Sequence, residues 1–550
     1  MVLAILYFVA TVVVSTVALG RDVPFPNRPT LAQSLTFKDL PQAALDTWAT
    51  APTPEIETLN FQAPAPAAVS LKTSTTLPPP TATHTPTPAA TTSPPPPPAI
   101  LPSPPPPSPP PSPPALELPP LPERPPFVLG FASAAYQFEG AYLEDGKGWS
   151  IWDDYTNNHT VYTERHIQDC GTDGHFARCN ETIHNNETGN ESCDFYHRFK
   201  EDFALAKQLH AKSYRFSIAW ARIFPNGDGA INLAGIQHYV EVVDELLKLG
   251  IEPAVTLYHW DLPMALQERF GGFNSEAIVP VFTNYAVAMF QALGDKVNYW
   301  TTFNEPMSFC YMGYGGGYGG LNVNAPGIHD AGAAQRRLDF VLGLFADPVY
   351  LGQFPDSVKA RVPYLPEITP ELATALNGSC DYFALNHYTT VYAQYDLNGR
   401  EPLGPCDYAI THEKDGVLLG VPADAGWIYS VPWGFRELLK YINERYKPTE
   451  ISVTESGFQV KGESNATNDD IFIAYDEPRI QYFKEYILEA TKAVIYDKVP
   501  LTSYHAWALT DNFEWVDGYS KHFGVFHVDF ATQKRTPRAS ARFLANRFKD

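Results

Sequence analysis

From Phe127 onward, short runs of β-branched and aromatic residues alternate with longer stretches whose apolar positions recur every three to four residues. The β-prone runs are 127–133, 214–219, 252–257, 297–303, 381–385, 450–454 and 502–507. Amphipathic stretches between them fall at 194–210, 232–249, 274–293, 333–346, 432–446 and 478–496. Asn232 is placed to cap the second of these, and Asn274 offers a weaker start to the third. Strands separated by helices of this size predict βα units around a parallel sheet. Seven strand candidates in one continuous domain favour an α/β barrel over a doubly wound sheet, and no G-x-G-x-x-G follows the first strand.

The carboxyl end of each run carries polar and aromatic residues. Gln137 and Glu139 follow the first, Arg215 lies in the second, and His259, Trp260 and Asp261 end the third. Asn304-Glu305-Pro306 closes the fourth, Asn386-His387-Tyr388 the fifth, Glu455 follows Thr454, and Trp507 closes the last. A β/α barrel assembles its active site on that face, so Glu305 and Glu455 become neighbours despite their separation in sequence.

Composition divides the chain. Of its 52 prolines, 33 fall in residues 1–126, which leaves 127–550 as the folded domain. Residues 1–20 read as a signal peptide ending at Ala18-Leu19-Gly20, or, uncleaved, as an anchor over 2–19. Residues 21–126 read as a disordered linker, extended as polyproline II from 63, that could tether the domain to a wall or membrane or be an inert tail. Six N-x-S/T sequons, four between Asn158 and Ser192, predict a secreted glycoprotein with a decorated surface insert. Cys170, Cys179 and Cys193 lie in or beside that insert, where one disulfide is expected. A formal charge of −22 disfavours nucleic acid and anionic membranes as partners. The histidines show no ligand spacing, so neither metal nor cofactor is expected.

Two carboxylates and a set of hydroxyl-binding and aromatic residues define candidate chemistry. Breaking a glycosidic bond needs a proton for the leaving oxygen and a carboxylate at the anomeric carbon. Glu305 is the candidate acid/base, its pKa raised by enclosure and by Glu455, and Glu455 is the candidate nucleophile, oriented by Arg215 and Tyr388. Gln137, His259, Asn304 and Glu514 suit sugar hydroxyls, and Trp260, Trp507 and Trp515 suit the C–H face of a ring. Trp149, Trp152 and Trp433 read as core packing.

The chain resembles glycoside hydrolase family 1, the β-glucosidase family, across 127–550. The resemblance rests on FASAAYQFEG from Phe131, SIWD from Ser150, YRFSIAWARIFP from Tyr214 and TLYHWDLP from Thr256. It continues through TFNEP from Thr302, NHYT from Asn386, VTESG from Val453 and WALTDNFEWVDGYS from Trp507. It implies a (β/α)8 TIM barrel, with Glu305 as acid/base and Glu455 as nucleophile. It also implies that Gln137, His259, Asn304, Trp507 and Glu514 bind the non-reducing sugar beside Trp515, and that Trp427 is the leaving-group platform. The implied reaction is retaining hydrolysis of β-glucosides or short β-linked oligosaccharides, with no cofactor.

Two departures from the family pattern are local: Ser456 stands where an Asn is usual, and the 158–192 insert is long. A third is larger. After Asn324-Ala325-Pro326-Gly327 only residues 328–332 bridge to the next helix, where the pattern has a further helix and the fifth strand. Loss of one αβ unit predicts an incomplete barrel of seven strands with two exposed edges. The alternative function is therefore an impaired or inactive carbohydrate-binding, wall-associated relative.

Overall fold

A computed structural model describes residues 119–158, 183–310, 331–401, 404–463 and 475–549. The leader, the arm up to 118, Cys170, Cys179 and most of the insert lie outside the described residues. Seven parallel strands form one sheet: β1 Val128–Ala132, β2 Ser213–Ser217, β3 Glu252–Tyr258, β4 Tyr299–Phe303, β5 Phe383–Asn386, β6 Ile451–Ser456 and β7 Leu501–Ala506. Their order is β4-β3-β2-β1-β7-β6-β5, so the chain is a β/α barrel that runs continuously from β4 round to β5. Each expected strand is present within a few residues of its sequence-derived bounds. β2 and β6 are buried along their whole length, as strands covered on both faces must be.

Helices α1 Phe195–Gln208, α2 Leu233–Lys248 and α3 Ile278–Leu293 follow the first strands in turn. Asn232 caps α2 by accepting from Ala234 N at 3.2 Å, as expected. Asn274 does not cap α3: it ends a single turn of 3-10 helix over Gly272–Asn274, and α3 starts at Ile278 without a side-chain cap. The next helical stretch is longer than its pattern suggested, running through α4 Ala331–Leu338, a π-helical turn at Asp339–Gly343 and α5 Leu344–Leu351. Helices α6 Pro432–Tyr446 and α7 Glu477–Ile495 each begin with proline in the first turn, where its missing N–H costs nothing. A closing helix, α8 Ala539–Phe548, is anchored by Arg538, which donates to both oxygens of Asp511 and to Glu463.

β4 and β5 are the two edges of the sheet, and among the described residues no backbone hydrogen bond joins them. Side chains cross the gap instead. Tyr382 OH donates to Trp300 O at 3.2 Å and lies 3.0 Å from Thr301 Oγ1, and the Tyr299 and Tyr382 rings meet edge to face at 5.5 Å.

The end of the arm touches the domain: Pro119 O accepts from Tyr496 OH at 3.0 Å, and Glu123 O accepts from Arg547. Cys193 is a buried free thiol, so it takes no part in the disulfide expected of the insert. Trp152 is buried, whereas Trp433 is 37% exposed on the outer face of α6 rather than in the core. Among the described residues no helix is long and apolar enough to cross a membrane.

Candidate active site

The carboxyl-terminal strand ends bring the expected residues to one pocket. Gln137, His259, Trp260, Asn304, Glu305, Tyr388, Trp427, Glu455, Trp507, Glu514 and Trp515 all line it, and Arg215 lies beneath it. Glu455 lies within β6, where Glu455 and Asn386 are register partners. It accepts from Arg215 Nη1 and, at 2.7 Å, from Tyr388 OH, two donors that suit a carboxylate. Arg215 also donates from Nη2 to Asn304 Oδ1 at 2.8 Å, so one guanidinium holds residues from two strand ends.

Glu305 follows β4 in the left-handed backbone region, at φ 45°, as do Trp260 at φ 71° and Trp515 at φ 51°. Non-glycine residues are uncommon there, and three in one pocket mark strain held by the surrounding packing. Glu305 Oε1 accepts from Asn386 Nδ2 at 2.8 Å and Oε2 from Ser308 Oγ at 2.7 Å. Burial first, and the charge of Glu455 second, push its pKa up to about 7 against those two bonds. Glu514 is likewise held well above the usual carboxylate range, by burial and by Asp517.

Two buried polar atoms on pocket-lining residues have no protein partner, Gln137 Oε1 and His259 Nδ1. Their other ends are fixed. Gln137 Nε2 donates to Asn512 Oδ1 and Phe513 O at 3.2 Å and to Glu514 Oε2 at 3.3 Å, and His259 Nε2 meets Asn304 Nδ2 at 3.0 Å. Buried polar atoms left unsatisfied by protein suit a ligand rich in hydroxyls. The His259 ring lies nearly parallel to Trp507 and Trp515, both at 6.1 Å, and Trp427 stands edge-on to Tyr388 at 5.8 Å.

Asn386 and Ser308, both bonded to Glu305, were not among the candidates. Asn386 stood visibly at a strand end. Ser308 could have been found from Pro306, which starts a turn that returns residue i+3 to Glu305. The loop under Gln137 is also fixed by bonds: Gln137 O accepts from Ser192 Oγ, and Asn190 and Asn157 exchange side-chain amide bonds of 2.9 and 3.1 Å. Among the described residues one close group, Asp511, His522 and His527, contains metal-ligating types, but Arg538 already occupies both Asp511 oxygens.

His387 is fully buried behind the pocket, 5.0 Å from the Phe435 ring and 5.8 Å from the Tyr486 ring. Neither ring nitrogen reaches a partner with hydrogen-bond geometry, and burial pushes its pKa down to about 3. The unfolded chain then binds this proton below the ordinary histidine pKa while the folded chain does not, so His387 costs stability progressively as pH falls from about 6.5 towards 3. Replacing it with Phe is expected to stabilise the domain by about 1 to 3 kcal/mol. The gain should be larger at pH 5 than at pH 8, as read by urea unfolding at the two pH values.

Comparison with known proteins gives the same family. The profile described as Glycosyl hydrolase family 1 matches residues 121–332 and 323–549, two stretches that meet where the strand order has its gap. The chain is 35% identical to a putative beta-glucosidase 41 of Arabidopsis thaliana, covering 76% of this chain and 86% of the relative. It is 36% identical to beta-glucosidase 1B of Phanerodontia chrysosporium, covering 77% and 85%. Among solved structures, a rice beta-glucosidase superposes with a TM-score of 0.69 at 32% identity over 77% of this chain and 98% of that one. Beta-glucosidase 2 of Trichoderma reesei, in complex with Tris, superposes with a TM-score of 0.69 at 37% identity over 78% and 98%. With the strand ends, the paired glutamates and both halves of the domain matched, the chain belongs to glycosyl hydrolase family 1.

Proposed function

We propose that the protein is a retaining β-glucosidase that releases terminal β-D-glucosyl residues from β-glucosides or short β-linked oligosaccharides. The observation that carries this reading is the pairing of Glu305, protonated near neutrality, with Glu455, held by Arg215 and Tyr388, in one pocket. In the first step a Glu455 oxygen bonds to the anomeric carbon as the bond to the leaving oxygen breaks, and Glu305 gives that oxygen its proton. Glu455 thereby loses its charge, which lowers the pKa of Glu305 and readies it as a base. In the second step a water oxygen attacks the same carbon, its proton passes to Glu305, and Glu455 leaves as a carboxylate. Two inversions at one carbon give net retention.

Gln137, His259, Asn304 and Glu514 bind the hydroxyls of the glucosyl unit, Trp507, Trp515 and Trp260 cover its apolar face, and Trp427 carries the leaving group. An inactive carbohydrate-binding role is less well supported, because both carboxylates and their partners are in place. The sequons and the proline-rich segment support export with attachment to a wall or membrane. Asn186 is exposed and its sequon partner Thr188 is half-buried, which suits N-linked sugar.

Hydrolysis of an aryl β-glucoside, followed by proton NMR of the first-formed glucose, tests the reading. β-Glucose is expected, and α-glucose or no glucose would overturn it. In the same assay kcat/KM is expected to fall above pH about 7, tenfold per pH unit at the limit, because Glu305 must carry its proton for the first step.

A further inference from the structure

We infer that Tyr382 is a positioning residue for Glu305, clasping β5 to β4 where no backbone ladder joins them among the described residues, so that the two glutamates keep their working separation. The clasp rests on the roles given above to Glu305 and Glu455.

In a closed barrel the spacing between two strand ends is fixed both ways round the ring. Among the described residues the ladder β4-β3-β2-β1-β7-β6 fixes it one way only. Glu305 belongs to the block ending in β4, and Glu455 to the block ending in β5, through the pairing of β6 with β5. The short way round crosses the gap, and there side chains replace a ladder. β4 pairs with β3 from Tyr299 to Phe303, and the carbonyl of Trp300 accepts from Tyr382 OH. That hydroxyl in turn accepts from Thr301 Oγ1 at 3.0 Å. Tyr382 immediately precedes β5, whose first residue, Phe383, pairs with Ile451 of β6, so the phenol is rooted in the Glu455 block. Further along the gap Asn386 Nδ2 spans to Asn304 Oδ1 at 3.0 Å and to Glu305 itself.

The exposure of β4 fits this account: its first four residues are only half-buried, whereas β2 is buried throughout. On its gap side β4 is held by the Tyr382 hydroxyl contacts, by the Tyr299–Tyr382 ring pair and, past its end, by Asn386, so loss of the hydroxyl loosens the strand's outer side while its ladder to β3 remains. Glu305 begins two residues after β4 and would move with it, while Glu455 stays on β6. Carboxyl separation distinguishes retaining from inverting geometry, at about 5 to 5.5 Å against about 6.5 Å or more, so a small outward shift withdraws the acid from the leaving oxygen.

Tyr382→Phe in the full chain removes the hydroxyl and keeps the ring. A substrate whose leaving group needs the proton, cellobiose, is expected to lose about ten- to a hundredfold in kcat/KM, the scale of a sub-ångström to ångström misplacement. The 2,4-dinitrophenyl β-glucoside, whose leaving group departs without a proton, should stay within threefold. Amide hydrogen exchange at 300–305 should quicken at least tenfold, and the basic limb of the pH profile should move to lower pH as Glu305 becomes more solvated. Thr301→Val repeats the test if the Tyr382 variant does not fold, with Thr301→Ser restoring the parent values.

Equal losses on both substrates with an unmoved basic limb, or unchanged exchange at 300–305, would overturn the clasp. A parent protein inactive on both substrates would refute the activity instead, and the exchange measurement would still decide the clasp.

Discussion

Replacing Glu455 with Gln is expected to reduce kcat on an aryl β-glucoside by about 10⁵-fold, the scale on which enzymes lose turnover when a covalent nucleophile is removed. The side chain is almost wholly buried and both its oxygens accept charge-assisted or hydroxyl bonds, so an amide of the same shape keeps the packing. The amide oxygen can still accept from Arg215, but its nitrogen now faces Tyr388 OH and neither atom can form and release an ester. The fold should survive, because Arg215 keeps its bonds to Thr256 Oγ1, at 3.0 Å, and to Asn304. Circular dichroism on the same sample checks this. Intact-mass analysis with a 2-deoxy-2-fluoro-glucoside, which slows breakdown of the ester, should show one glucosyl adduct on the parent chain and none on the variant. An active variant would remove Glu455 from the mechanism.

For Glu305→Gln the expected loss depends on the leaving group. General acid assistance contributes about 10² to 10⁴-fold, so kcat/KM for cellobiose should fall by that range. A dinitrophenyl leaving group needs no proton, and for it kcat/KM should hold while kcat falls, because base-assisted attack by water becomes limiting. Azide attacks without giving up a proton and should restore kcat, with β-glucosyl azide as product. The decline above pH about 7 should disappear with the group that causes it. Equal losses on both substrates would assign the proton transfer to another residue.

Most of this site was legible because a barrel turns sequence order into a ring of strand ends. His259, Asn304, Glu305, Tyr388 and Glu455 each follow or lie in a β-prone run, and one rule of topology places them together. What escaped depends on short-range geometry that hydropathy does not encode. The Asn274 cap failed because Gly271 and Gly272, both at positive φ, turn the chain through a 3-10 loop before α3 begins. Ser308 and Asn386 reach Glu305 only because of a turn after β4 and the approach of β5 to β4. The antiparallel pair Tyr392–Tyr395 with Tyr408–Thr411 was missed because its strands are short and half-exposed, with little alternation to read. The short stretch after β4 was legible as too few residues between two recognisable motifs, but Tyr382 was not. Its hydroxyl has meaning only once β4 and β5 face each other.

The bonds of Asn190 and Ser192 set a condition on biogenesis. An oligosaccharide joins the amide nitrogen of an N-x-S/T asparagine and needs that residue and its hydroxyl partner accessible. In the finished domain Asn190 Nδ2 is committed to Asn157, and Ser192 is buried with its hydroxyl on the Gln137 carbonyl. Attachment at Asn190 and docking of the loop beneath Gln137 therefore compete for the same atoms. In a compartment that glycosylates nascent chains, whichever event comes first excludes the other. Slow maturation would yield a population bearing sugar at Asn190 with a disturbed Gln137.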